Sequence, residues 1–598
     1  MRKIYSINWV LGICLLLFSV NSCTDALDDT PAELVDINRV LSREVIVSSF
    51  RSNSYNHLNN AFVNYTSNQL LDAYTDDAFR AGTTVTYDWH NGLLTPANNM
   101  FASTMWNQYY QGIRKCNLAL EYLPQSRVSE LMISQQRIAE WIDEVTLLRA
   151  WYHFELIRNF GPLPFFDVAY GPEFEGWADL VRPTYEQITT RIVEEIDLVI
   201  SRGNLPLRWQ STSEFGNANM AVAYALKSRV LLYNASLLNN PAQDMQKWQQ
   251  AATASQAAID AVSGDYWLLP MEEYGRLFNE GQTVLNREVI LRSTNNNEGV
   301  MNNANGVDLR GLGSATQSAN AGAVPSQELV DAFELLDGSL PVVSYNNPNH
   351  TSVTFGAAYN EDPGSNPYAG RDARLYHAIV FNGANYGRYK GMPAGEPDLT
   401  IYTYEGKPFT GFHDNFTSDE EADRRRSSTG YYGRKYRSAG FWGATTGGTN
   451  ANKIYFRVAE LYLNLAEAHC ELGNLPEAMT ALNVVRNRAG QPNIQDVPGF
   501  VASQEFLMRR IRNERRVEFC FEEHRFYDQR RWNMLAETNQ TVTGMRITSS
   551  DGTDNGVFSY ERVHVNVGRT AFSEKYLRLP IPQEEARRLP GLGQPAGY

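Results

Sequence analysis

Long helical patterns, interrupted by one stretch rich in turn-forming residues, constrain the fold of this chain most strongly. Between Ile138 and Phe160, apolar side chains recur every three or four residues, as on one face of an α-helix. The pattern stops at Gly161-Pro162-Leu163-Pro164, because proline has no backbone N–H and disfavours helix in the preceding residue. Further segments with the same periodicity are predicted to be helices: 183–202, 217–238 and 243–263.

Residues 293–450 have a different character. Clusters such as Asn346-Asn347-Pro348-Asn349 and Gly447-Gly448 favour turns, and only Ser326 to Leu336 has a clear helical pattern. We therefore expect loops and short strands in this part of the chain. An irregular stretch of this length is uncommon without a function, so a binding region is favoured over a decorative insertion.

Helices resume at residue 454 with a hairpin-like pattern. Leu465-Ala466, Gly473 and Ala478 match a tetratricopeptide hairpin, in which small residues let two helices approach closely. No constant repeat period can be demonstrated along the chain. The sequence predicts a mostly α-helical, tetratricopeptide-like scaffold with a loop-rich, partly β insert.

The first 23 residues are similar to the export signal of a bacterial lipoprotein. Met1-Arg2-Lys3 is basic, and Trp9 to Phe18 is apolar but too short to span a bilayer. Cys23 follows small or polar residues and is predicted to carry the lipid anchor, the alternative being an ordinary signal peptide with an incidental cysteine. The predicted regions are a signal peptide (1–22), an acidic tether (23–31), an N-terminal helical region (32–292), a loop-rich ligand-binding region (293–450) and a C-terminal helical region (451–598).

Charge and cysteine content narrow the class of protein. The 598 residues include 53 basic and 67 acidic side chains, and the net charge of −14 argues against nucleic acid, whose binding depends on neutralised phosphates. Beyond Cys14 and Cys23, three cysteines remain, so they cannot all pair, and none has zinc-type spacing. Each lies in an apolar helical pattern and is predicted to be a small buried hydrophobe: Cys116, Cys470 and Cys520.

The densest charge pattern runs from Asn513 to Trp532. Glu514, Glu518 and Glu522 lie on one helix face, which could suggest paired carboxylates for acid and base catalysis. Arginines within one helical turn favour the ionised state of every acid, so a structural ion-pair network that docks this helix onto its neighbour is the favoured interpretation. The sequence also lacks the GxSxG, HExxH, phosphate-loop and calcium-loop motifs.

Aromatic residues make up 12% of the chain, and many fall in predicted loops. A flat exposed ring beside amide and charged side chains suits a sugar, whose C–H face stacks while its hydroxyls take hydrogen bonds. For any one ring, local packing under a loop is the competing interpretation. The candidate rings are Trp89, Trp267, Tyr274, Tyr345, Tyr359, Tyr386 and Trp442 beside Phe441.

Taken together, the motifs of this chain closely resemble those of the SusD/RagB family of nutrient-binding outer-membrane lipoproteins. The resemblance runs nearly end to end, and its order and number of pieces carry more weight than any single piece. The matching pieces are Trp106-Asn107-Gln108-Tyr109-Tyr110 through Asn117, Glu144 through Pro164, Asn286 through Ile290, Pro325 through Val330, Arg371 through Leu375, Phe456 through Ala468, Asn483 through Gly490, Glu514 through Trp532 and Leu579 through Pro582.

This resemblance implies a helical scaffold with about four tetratricopeptide-like units and a loop-rich region that carries the ligand site. It also implies an outward-facing, lipid-anchored protein of the cell outer membrane. Such proteins are lids on a SusC-like TonB-dependent transporter, and they capture oligosaccharides or, in some members, peptides. The resemblance implies no enzymatic activity and no cofactor, and it leaves a structural calcium ion open.

In the resembled family, ligand contacts come from loops between the early helices and from the insert after the Glu-Val-Ile element. The leading hypothesis is glycan capture with Trp89 as the stacking platform. The other predicted ligand-binding residues are Asn91, Asp77, Arg80, Asn296 and Arg310. A peptide ligand is the second hypothesis, and a surface glycosidase that uses Asp76 or Asp77 is the third.

Overall fold

A computed structural model of the chain gives the positions of most residues beyond the predicted tether. Cys23, whose lipidation is predicted, lies outside the described residues. The structure describes residues 37–59, 70–80, 86–171, 173–279, 286–294, 307, 320–360, 365–387, 394–414, 425–436, 452–538, 541–565, 569 and 573–598.

Helices dominate both ends of the described chain. Those of eight or more residues are α1 (Glu44–Ser54), α2 (Asn107–Tyr122), α3 (Gln135–Phe160), α4 (Tyr185–Arg202), α5 (Met220–Ala235), α6 (Met245–Val262), α7 (Val458–Glu471), α8 (Leu475–Arg488), α9 (Gln504–Phe519) and α10 (His524–Arg531). Shorter α-helices are Ile37–Leu41, Asn56–Asn59, Thr86–His90, Arg276–Asn279, Gln327–Ala332, Leu375–Ala378, Leu535–Thr538 and Gln583–Arg588. The four N-terminal helices predicted from periodicity, now α3 to α6, are confirmed within a few residues at each end.

Local capping explains where these helices begin and end. The Ser134 hydroxyl accepts a hydrogen bond from the Arg137 N–H at 3.1 Å and satisfies one of the unpaired donors at the start of α3. Gly161, at φ +80°, ends α3 with a backbone conformation that other residues rarely adopt. At α4, Thr184 and Gln187 form a reciprocal capping box.

Consecutive helices pack against each other in a tetratricopeptide-like scaffold. Helices α2 to α6 pack pairwise in chain order, α7 packs on α8, and α6 also packs on α7. Gly112 allows the close approach of α2 and α3, because a Cβ there would lie 2.7 Å from the Tyr152 ring. Trp151 of α3 makes edge contacts at 4.9 Å with both Tyr455 and Phe456, so N-terminal and C-terminal residues share one hydrophobic core.

Strands are short and occur in antiparallel pairs among the described residues. The pairs are β1 (Ala78–Arg80) with β3 (Ala323–Pro325), β2 (Val289–Arg292) with β10 (Ile454–Arg457), β4 (Val342–Tyr345) with β5 (Val353–Phe355), β6 (Ile379–Val380) with β9 (Tyr432–Gly433), β7 (Ala384–Gly387) with β8 (Leu399–Ile401) and β11 (Thr543–Ser549) with β12 (Phe558–His564). A second hydrophobic core underlies this strand and loop region. The predicted fold class, a helical scaffold with a partly β insert, is confirmed.

One predicted helix is shorter than expected. The pattern from Ser326 to Leu336 forms a helix only over Gln327–Ala332, with the Ser326 hydroxyl as its N-cap. Phe333 takes an extended backbone conformation, and the Gly338 N–H bonds to the Leu335 carbonyl at 3.0 Å in a turn. The chain therefore leaves the helix before its apolar periodicity ends.

A buried ion-pair network joins α9 to its neighbours and confirms the interpretation of the acidic and basic pattern at 513–532. Glu518 accepts hydrogen bonds from Arg374 at 2.8 Å, from Arg457 at 2.5 Å and from Arg488. All four side chains are almost completely buried. The partners of Glu518 come from other elements, not from the arginines next to it on α9.

Glu514 and Glu522 extend this network on either side of Glu518. Glu514 pairs with Arg374 at 2.6 Å and with Arg486 at 3.1 Å. Glu522 pairs with Arg457 at 2.8 Å and with Lys435, a residue of the loop-rich region, at 2.8 Å. The network therefore crosses from the helical scaffold to the second core, so that neither carboxylate is available for catalysis.

The cysteine prediction is also confirmed. Cys116, Cys470 and Cys520 are buried thiols, and burial raises the pKa of each to about 12. Such thiols are protonated and unreactive at neutral pH. Across the described part of the chain, no helix combines the length and apolar character needed to cross a membrane.

Candidate functional site

A small pocket lies where β1 meets β3, and we call it the β1–β3 pocket. Arg80 ends β1, and its backbone lies opposite Ala323 in the antiparallel register. The pocket has a volume of about 10 Å³, which admits about one water or one hydroxyl group. Its lining consists of Arg80, Asn320, Ala321, Gly322, Val324, Arg426 and Ser428.

The chemistry of the β1–β3 pocket favours an oxygen-bearing ligand. Ser428 is fully buried, and its Oγ has no hydrogen-bond partner in the part of the chain that the structure describes. Buried hydroxyl groups in native structures are normally hydrogen-bonded, so the Ser428 Oγ can take a water or a ligand group as its partner. Arg80 and Arg426 add positive charge, and a guanidinium only donates hydrogen bonds.

Neighbouring residues hold the pocket in shape. The Ser427 Oγ accepts hydrogen bonds from the Thr429 N–H at 3.2 Å and the Tyr431 N–H at 3.0 Å, which fixes the turn that presents Ser428. On the β1 side, Arg569 donates to the carbonyls of Thr75 at 2.8 Å and Ala78 at 3.2 Å.

The two acidic residues before β1 are structural, so Asp77 is wrong as a ligand-binding residue. Asp77 is fully buried and accepts a hydrogen bond from Arg516 at 2.5 Å. Burial alone would raise the pKa of Asp76. The positive charges of Arg516 and Arg525 have the larger combined effect and lower the pKa to about 2. Asp76 is therefore an ionised partner of buried arginines at neutral pH. Neither carboxylate faces a cleft, which removes the basis of the glycosidase hypothesis at these residues.

Trp89 is wrong as a stacking platform, because its side chain is 0% exposed. Its ring packs edge-on against Tyr576 at 4.8 Å and Tyr74 at 5.6 Å. The ring centroids of Phe101 and Phe526 lie 5.8 and 5.6 Å from that of Trp89. A ring enclosed on these sides cannot offer a face to a sugar.

The remaining predicted positions divide into three groups. Arg80 lines the β1–β3 pocket, whereas Asn91 is half-buried and is not among the lining residues. Asn296 and Arg310 lie outside the described residues. Of the other candidate rings, Tyr274 and Tyr386 are buried, Tyr359 is half-buried, Trp267 and Tyr345 are exposed, and Phe441 and Trp442 lie outside the described residues.

The sequence did not identify three polar residues of the pocket, Asn320, Arg426 and Ser428. The run Arg424-Arg425-Arg426-Ser427-Ser428 was the available signal, because three consecutive arginines before hydroxyl side chains suit oxygen-bearing ligands.

Within the described residues, no group of three or more His, Cys, Asp or Glu side chains could hold a metal ion.

Comparison with solved structures shows that this fold is shared with proteins of known architecture. A SusD-like protein from Bacteroides fragilis is 25% identical, with 94% of this chain and 98% of that chain covered, at a TM-score of 0.72. A SusD-like carbohydrate-binding protein from the same species is 22% identical, covers 93% and 100%, and has a TM-score of 0.66. Surface glycan-binding protein A from Bacteroides thetaiotaomicron, in complex with laminarihexaose, is 19% identical, covers 92% and 99%, and has a TM-score of 0.54.

Sequence comparisons agree with the structural ones. A SusD-like protein of Formosa agariphila is 35% identical over 92 residues, which is 15% of this chain and 17% of that protein. The family described as starch-binding and associating with the outer membrane matches residues 25–232. The model of the SusD family matches residues 286–598, just over half of the 598 residues, and the chain therefore belongs to the SusD family.

Proposed function

We propose that this protein binds oligosaccharides at the cell surface and delivers them to a SusC-like TonB-dependent transporter. Cys23 would carry the lipid that holds it at the outer membrane, facing outward. The observation that carries the binding role is the β1–β3 pocket, where the unpaired Ser428 Oγ lies beside Arg80 and Arg426. The pocket accepts one hydroxyl group, so sugar rings would rest against its mouth.

The carboxylates before β1 offer no catalytic pair. Asp76 and Asp77, the carboxylates directly before β1, form buried ion pairs with Arg516 and Arg525. A glycosidase needs two carboxyl groups that face each other across an open cleft, whereas both of these are buried. The glycan-bound state of a SusD-fold neighbour supports the same ligand class for this chain.

A peptide ligand is the second candidate function. The guanidinium groups of Arg80 and Arg426 would serve a peptide carboxylate as well as a sugar oxygen. Binding of protein digests in preference to every oligosaccharide would favour this candidate over the first.

Loss of the Ser428 hydroxyl tests the pocket with little structural disturbance. We expect Ser428→Ala to weaken glycan binding about 2- to 10-fold, as for the loss of one neutral hydrogen bond, without lowering stability. Arg80→Ala should weaken it about 10-fold or more, because charge-assisted hydrogen bonds are stronger. The measurement is calorimetric titration with the best ligand from an array of neutral and uronic-acid oligosaccharides.

Thr403→Val is the matched control, since the Thr403 Oγ1 is another buried hydroxyl without a partner among the described residues and Thr403 is not a lining residue of the β1–β3 pocket. Its affinity should equal that of the wild type. Unchanged affinity in both pocket variants would remove the β1–β3 pocket from the binding site. If no oligosaccharide on the array bound the wild-type protein, the proposed function itself would be overturned.

A further inference from the structure

A second cavity, far larger than the β1–β3 pocket, lies on the helical scaffold, and we call it the aromatic cavity. It is lined by residues of α2 with the residue before it, by residues 166, 168–170 and 177, and by the helix Gln583–Arg588 with the residue after it. Its volume of about 670 Å³ falls within the roughly 300–1,000 Å³ range of small-molecule sites. It shares no lining residue with the β1–β3 pocket.

Five of the fifteen residues that line the cavity are aromatic. Trp106 and Tyr110 lie on one side, with ring centroids 4.8 Å apart, and Tyr110 contacts Phe166 at 5.9 Å. Phe166 also contacts Tyr170 and Trp177, each at 6.1 Å, and these two rings lie 5.7 Å apart. The Trp177 side chain is 36% exposed, so part of its surface faces solvent at the cavity mouth.

Hydrogen bonds hold the aromatic segment in place. Arg114 donates to the Tyr170 carbonyl at 2.6 Å. Asn117 donates to the carbonyls of Phe166 at 3.1 Å and Val168 at 3.0 Å. These bonds tie the 166–170 backbone to α2, so Phe166 and Tyr170 are positioned before any ligand arrives and lose little conformational entropy on binding.

One polar atom inside this wall lacks a partner. The Tyr110 Oη is buried and makes no hydrogen bond within the described part of the structure. Burial raises the pKa of Tyr110, so the group is a neutral hydroxyl that can both donate and accept. Gln111, Glu585 and Arg588 add amide, carboxylate and guanidinium groups to the lining.

We propose that the aromatic cavity is a second carbohydrate-binding site. Aromatic faces suit the C–H surface of a sugar ring, and the Tyr110 hydroxyl with the polar lining suits its hydroxyl groups. A purely apolar occupant would leave the Tyr110 Oη unpaired at a cost of about 1–3 kcal/mol. This inference rests on the proposed function for its ligand class, but not on the β1–β3 pocket.

The test uses the mature chain titrated calorimetrically with laminarihexaose, maltohexaose and xylohexaose. With at least one of them, we expect two sugar molecules per protein chain. Tyr110→Phe should weaken one of the two binding events about 2- to 10-fold and leave the other unchanged. Trp177→Ala should weaken the same event about 5-fold or more, because stacking on the exposed indole is lost.

Trp267→Ala is the matched control, because Trp267 is also exposed, at 48%, and is not a lining residue of the aromatic cavity. It should leave both binding events unchanged, and urea unfolding of all variants should show that they are folded. A stoichiometry of one that is unaffected by Tyr110→Phe and Trp177→Ala would overturn this inference while leaving the proposed function intact. Absence of binding by all three sugars and by the oligosaccharide array would overturn both.

Discussion

Replacing Glu518 by alanine is expected to lower the free energy of unfolding by about 3–5 kcal/mol. The substitution would leave Arg374, Arg457 and Arg488 buried without their shared carboxylate. Removing one member of a buried charge network lowers stability by more than the network itself contributes, because the remaining charges stay buried without a partner. The measurement is urea unfolding of the mature chain at neutral pH.

Glu194→Ala is the control for this prediction. Glu194 pairs with Arg191 on the surface of α4, where the two side chains are 53% and 46% exposed. Exposed ion pairs contribute about 0–1 kcal/mol, so the control should unfold almost as the wild type does. Equal effects of the two substitutions would contradict the structural role of the network around Glu518.

Acidification should narrow the difference in the free energy of unfolding between the wild type and Glu518→Gln. Burial alone would raise the pKa of Glu518, but Arg488, Arg457 and Arg374 hold it well below its ordinary value of 4.5. A carboxylate with a depressed pKa contributes stability above its unfolded-state pKa and loses it as the pH falls through the folded-state pKa. The gap in unfolding free energy should therefore be full at pH 7 and shrink below about pH 4.5.

Trp89→Ala is also expected to cost about 3–5 kcal/mol, because it empties a fully enclosed site. Trp89→Phe should cost less, since it keeps an aromatic ring and removes an indole N–H that has no partner among the described residues. Urea unfolding measures both changes. Trp89→Phe should leave the affinity for oligosaccharide unchanged, because the ring lies in the core.

Trp267→Ala is the control for Trp89→Ala, because Trp267 is exposed. It should change the free energy of unfolding by less than about 1 kcal/mol. If Trp89→Phe folded normally but lost glycan binding, the assignment of Trp89 to the core would be contradicted. The stacking hypothesis derived from the sequence would then be restored.

The helices could be predicted from the sequence because their information is local. A 3.6-residue apolar period, a capping serine at Ser134 and a glycine at Gly161 fix the course of α3 without reference to the rest of the chain. The buried network was predictable for a related reason, since acids and arginines at this density in an amphipathic helix must find partners. Which arginines those partners are was not predictable, because Arg374 and Arg457 arrive from distant elements.

The burial of Trp89 could not be predicted from the residues next to it in the sequence. Trp89 is followed by His90 and Asn91 and resembles a surface position. In the structure, it is covered by Phe526 and Tyr576, which lie more than 400 residues later in the chain. Short-range composition cannot show such coverage.

The β1–β3 pocket was predictable only in part for the same reason. Arg80 was identified because the resembled family takes ligand contacts from the loops between its early helices. Asn320, Arg426 and Ser428 reach the pocket only through long-range folding, since β1 pairs with β3 and β6 pairs with β9. None of these pairings is encoded by a local motif.

A crystal structure of the protein grown with its best-bound oligosaccharide would show whether the β1–β3 pocket holds the sugar. We expect a sugar hydroxyl about 2.5–3.0 Å from the Ser428 Oγ, with Arg80 or Arg426 also donating to that sugar. A bound oligosaccharide that leaves only water at Ser428 would contradict this assignment.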